Sequence, residues 1–127
     1  MRAAATDTIP FHDGLARVIR REQLAEIPEW PRVFASQAKD HRFYEIVDET
    51  LEDGFEHRYL MFEDRTGRVR GVQPVFFVRQ NLVEGVPAFR RAVDLVRRKF
   101  PRFLTMRVLM VGCAAGAAHL GACCDTP

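Results

Sequence analysis

Two apolar runs separated by a short polar turn constrain this chain more than any other feature. Arg58 to Glu63 reads Arg-Tyr-Leu-Met-Phe-Glu, Asp64-Arg65-Thr66-Gly67 follows, and Arg68 to Val78 returns as a longer apolar partner. Strand formers on both sides of a turn that closes on glycine predict an antiparallel β-hairpin. Pro74 lies inside the second run. Proline donates nothing to a strand ladder, so it predicts an edge position or a bulge there. A lone hairpin is marginal in water and needs further strands or a helix against one face.

The flanking sequence supplies both. Residues 15–20, Leu-Ala-Arg-Val-Ile-Arg, read as a first short strand, and Glu22 to Ile27 as a helical turn closed by Pro28. Trp30, Val33, Phe34 and Gln37 fall at helical spacing, with Pro31 near the start, where its missing N–H is harmless. Phe43, Ile46, Val47, Thr50 and Leu51 recur at the spacing of one helix face, acids occupy the other, and Gly54 is placed as a stop. Gly85 and Pro87 open a basic helix over 88–100, with Phe89, Ala92, Val93, Val96 and Phe100 as its apolar stripe. Thr105 to Cys113 is an apolar strand of the kind buried inside a sheet.

The resulting order, β-α-α-β-β-α-β, predicts an α/β fold: a mixed sheet with a central antiparallel hairpin flanked by helices. A chain of 127 residues suits a single domain. The expected division is a tail over 1–14, the domain over 15–121 and an irregular end over 122–127. At 47% hydrophobic and 28% charged residues the composition excludes a disordered or collagen-like chain.

Charge is divided unevenly. Residues 1–64 hold 8 Arg/Lys against 14 Asp/Glu, and residues 65–127 hold 11 against 3, so −6 faces +8. The acids Asp48, Glu49, Glu52 and Asp53 gather at a helix C-terminus, where negative charge is unfavourable. Contact with the arginine-rich second half is therefore expected. The basic helix 88–100 is suited to an acidic partner. Nucleic acid is not expected, because no interleaving of aromatic and basic residues marks a stacking surface.

Cys113, Cys123 and Cys124 form an odd set at one end, and no signal-peptide pattern opens the chain, so a reducing, cytoplasmic setting is expected. Together with His119 they lack zinc-site spacing, and no metal is expected. Cys113 is read as buried and inert, and His12, His41 and His57 share no spacing. Val108 to Cys124 carries no charge, but it is dominated by Gly, Ala and Cys and is too short for a transmembrane segment.

The chemically suggestive stretch is Val111-Gly-Cys-Ala-Ala-Gly116, a strand end opening into small residues. Such loops leave backbone N–H groups for an anion, which makes Gly112, Cys113, Ala114, Ala115 and Gly116 the candidate cofactor-binding residues. The alternative is that the small residues merely let a helix pack on the strand. The run also looks like the nucleotide loop of SAM-dependent class I methyltransferases. Such a site needs an acid on a second strand about 20 residues on, and seven residues follow Leu120.

From about Leu15 to Gly121 the chain resembles the GNAT-like N-acyltransferases, particularly the large bacterial type related to the FemAB aminoacyl-transfer enzymes. The carrying segments are His57 to Asp64, Gly67 to Gln80 with Gly-Val-Gln-Pro-Val-Phe-Phe-Val-Arg-Gln, and Phe100 to Gly116. The resemblance implies an acyl-CoA-type donor, an amine acceptor and direct, base-assisted transfer. It carries no catalytic residue over to this chain. The segment corresponds to the N-terminal portion of such an enzyme, expected to be incomplete and inactive alone. The competing expectation is a non-enzymatic interaction module.

Overall fold

The computed structural model describes residues 7–115 and 121–122. Six strands form one curled antiparallel sheet: β1 (Thr8–Phe11), β2 (Gly14–Ile19), β3 (Phe55–Asp64), β4 (Val69–Asn81), β5 (Thr105–Val111) and β6 (Gly121–Ala122). The path runs β1-β2-β3-β4-β5, with β6 also on β4. Between β2 and β3 lie α1 (Arg21–Leu24), a 3-10 turn (Trp30–Arg32) and α2 (His41–Thr50). A second 3-10 turn (Pro87–Phe89) and α3 (Arg90–Arg97) separate β4 from β5.

The hairpin is present, and longer than the apolar runs alone indicate. Its turn closes because Asp64 Oδ1 accepts hydrogen bonds from Thr66 N at 2.9 Å and Arg68 N at 3.1 Å, and Gly67 takes a φ of +81°. A side-chain acceptor that mimics a backbone turn is the reason Asp favours this position.

Several expectations need correction. The sheet is not mixed: every strand pair among the described residues is antiparallel. The chain is tied together where β4 ends, with Leu82 N donating to the Leu104 carbonyl at 2.9 Å, so β5 starts beside the end of β4, Thr105 opposite Asn81, and runs back along it. The helices do not flank the sheet evenly either. Leu24, Ile27, Trp30, Val33, Phe34 and Tyr44 pack on Ile19, Tyr59, Met61 and Val72, all from one face.

The segment read as a tail contributes a strand, since Thr8–Phe11 pairs with β2 through a turn at His12 and Asp13. Gly14 is required there: a Cβ would stand 1.8 Å from the Glu63 carbonyl oxygen. Pro74 is neither on an outer edge nor at the bulge, which falls between Phe62 and Glu63. On one flank of β4, Val72 pairs with Gly121 and Val75 with Val111, and Pro74 occupies the gap between them. Its carbonyl accepts from Gly112 N at 2.8 Å. N and O of one residue point to the same side in an antiparallel pair, so the absent N–H faces the place where one neighbour strand gives way to the other.

The α2 stripe is rotated from the expected one. Tyr44 and Val47 are buried, whereas Ile46 is 56% exposed. The α3 stripe is largely uncovered: Val93 is buried, and Phe89 and Phe100 are exposed. Expected as an interior strand, β5 pairs on one side only among the described residues, with Leu109 and Val111 exposed.

Candidate functional site

The glycine-bearing loop hangs from the end of β5. Gly112 adopts a φ of +126°, and its N–H is the donor to Pro74. Cys113 is half-buried against the aromatic core, and its Sγ receives Ala115 N at 3.4 Å. Two of the amides expected to hold a phosphate therefore already have acceptors, one a sheet carbonyl and the other a weak thiol acceptor. An anion seated here would displace at least the weaker of these bonds or rely on the residues between and beyond them. Gly116, His119, Cys123 and Cys124 lie outside the described residues.

The core beside this loop is aromatic and polar at its rim. Trp30 meets Phe34 and Tyr59 edge-to-face at 5.6 and 5.4 Å, and its Nε1 donates to Glu45 Oε1 at 2.6 Å. Tyr59 donates its hydroxyl proton to Asp48 Oδ2 at 3.0 Å. Burial, reinforced by the Asp48 charge, pushes the phenol far above its ordinary range, so Tyr59 remains a donor at any physiological pH.

Of the four acids expected to meet the second half, the two inside α2, Asp48 and Glu49, are engaged within the first half. Glu49 pairs with Arg21 and Asp48 serves Tyr59, both in the first half. An ion pair between the halves is made by Glu56, which binds Arg107 on β5 as well as Arg58. Glu52, just past α2, borders a cavity together with Arg79 and Arg107 of the second half.

Among the hollows on the surface of the described residues are three of similar size. One, of about 370 Å³, lies beside α1, where Arg17 Nε stands 3.2 Å from Glu63 Oε2, and Glu63 is a buried charged residue. A second, about 340 Å³, lies beneath α3 around Val93 and Arg97. The third, about 290 Å³, is walled by Glu52, Glu56, Phe77, Arg79 and Arg107. Of this last group sequence reasoning singled out Glu52 alone. Its signal is the alternation of Phe77 with Arg79 and of Arg107 with Leu109, but only the strand register shows that the two runs meet.

The histidines stand apart: His12 pairs with Asp13, His41 lies against Trp30, and His57 approaches the Leu51 carbonyl. Among the described residues no group of His, Cys, Asp and Glu is arranged to hold a metal ion, and no helix is long and apolar enough to cross a membrane. What the fold defines is an α/β domain with few helices on a curled antiparallel sheet, those between β2 and β3 packed on one face. Compared with known proteins, the chain matches no family model, no curated protein and no solved structure.

Proposed function

We propose that this chain forms the acyl-donor side of a GNAT-like N-acyltransferase, which moves an acyl group from an acyl-CoA-type donor to an amine. The observation that carries the reading is the order of elements. A strand, helical segments on one face, an antiparallel hairpin and an edge strand deliver the Gly112–Ala115 loop to a sheet margin. In the reaction the amine nitrogen adds to the thioester carbon, the C–S bond breaks, and the departing thiolate is matched by loss of the amine proton to a base. Backbone amides at the loop would serve the donor's phosphates. Among the described residues no strand pairs with the outer side of β5, so they wall the donor on one side, and the chain alone binds weakly and does not turn over.

A second reading, an interaction module without chemistry, is favoured by the same outer side of β5 and by the exposed Phe89 and Phe100 of the basic α3 region. Titration of the ¹⁵N-labelled chain with coenzyme A separates the two. The acyltransferase reading expects amide shifts centred on Gly112 to Ala115, with a Kd on the order of 1 mM, about −4 kcal/mol. Silence at these amides, or a response there to S-adenosylmethionine in place of coenzyme A, overturns it.

A further inference from the structure

The 290 Å³ cavity lies at the end of β5 remote from the glycine loop. Register sets Glu56 opposite Phe77 and Arg79 opposite Arg107. Strand side chains alternate with period two, so these four share one sheet face. Two guanidinium groups directly across a strand pair repel, and the fold relieves one of them. Arg107 is held by Glu56 and lies 4.0 Å from the centre of the Phe77 ring. Arg79 reaches a neutral partner, the Thr105 hydroxyl at 3.3 Å, and meets no carboxylate among the described residues. Glu52, on the same cavity wall, meets no cation among them.

A cation and a carboxylate, both without a charged partner and bordering one aromatic-floored hollow, are complementary to a molecule that carries both charges. The volume is about ten waters at roughly 30 Å³ each. It falls just below the range of about 300–1,000 Å³ typical of drug-sized ligands, which favours a small metabolite over a nucleotide.

We propose that this cavity binds a free α-amino acid or a similarly small amino-carboxylate. The ligand's carboxylate lies on Arg79, its ammonium on Glu52, and its side chain against Phe77. This is a statement about binding and holds whether or not the chain takes part in acyl transfer, since coenzyme A plays no part in the test.

The experiment is an NMR titration of the full chain, read at the Arg79 Nε–H and the Phe77 amide, with L-alanine and L-leucine as probes and acetate and methylammonium as half-ligands. Saturable shifts with both amino acids are expected. Arg79→Gln and Glu52→Gln, both at exposed positions, should each weaken amino-acid binding about tenfold or more, and Arg91→Gln on α3 should leave it unchanged. Acetate should respond to the Arg79 change alone and methylammonium to the Glu52 change alone. No saturable shift with either amino acid overturns the proposal. So does acetate binding as tightly as alanine, which would define an anion site, or an unaltered affinity in either cavity variant.

Discussion

Single side chains fix the geometry of the central hairpin. The Thr66 hydroxyl and the Arg68 N–H bind the charged form of Asp64 and hold its carboxyl below the ordinary carboxylate range. Arg42 does the same to Asp40 at the start of α2, where Asp40 also caps Arg42 N at 3.1 Å. A pKa lowered by folding contributes stability above the unfolded value, near 3.9 for Asp, and that contribution is lost as pH falls through the lower folded value. Asp64→Ala is therefore expected to lower the urea midpoint at pH 7. The gap from the parent chain should begin to narrow below about pH 4, where unfolded Asp64 takes up its proton, and close as pH falls through the lower folded value. Urea unfolding at pH 7 and at pH 3 checks this, and an equal gap at both would sink it.

At the scale of elements, periodicity located segments better than it located their environments. The apolar run 105–113 has the composition of an interior strand, yet β5 has β4 on one side and no strand on the other among the described residues. Leu109 is 52% exposed. Leu109→Lys should change unfolding free energy by no more than about 0.5 kcal/mol, as surface substitutions do. Because lysine discourages edge-to-edge pairing, it should also reduce light scattering by concentrated samples. A loss above about 2 kcal/mol in urea unfolding would show that β5 is covered. The stripe of α3 tells the same story: its spacing is helical, but Val93 alone of its apolar residues is buried, because a stripe is covered only where another element reaches it.

For the whole molecule, the cohesive centre is one-sided. Phe34 has no exposed surface, touches Trp30 and Tyr44, and seats Gly121, whose Cβ position lies 2.7 Å from its ring. Phe34→Ala should lower stability by about 3–5 kcal/mol, a large share of the roughly 5–15 kcal/mol that holds a domain together. The urea midpoint should fall with an unchanged slope, and a loss under about 1 kcal/mol would place the core elsewhere. The outer side of β5, where no strand pairs among the described residues, and the cavity at Arg79 lie away from this centre.

Local chemistry written in the chain determined the hairpin, its turn at Asp64 to Gly67, the helix at His41–Thr50 and the loop beginning at Gly112. Turns, caps and periodic stripes are short-range effects and are visible residue by residue. Tertiary structure alone decided the rest. It chose an antiparallel neighbour for β4, joined Thr8–Phe11 to the sheet, gave the Gly112 amide to Pro74, and set Arg79 across from Arg107. Each depends on register between segments distant in sequence, and register follows from which faces find partners to bury.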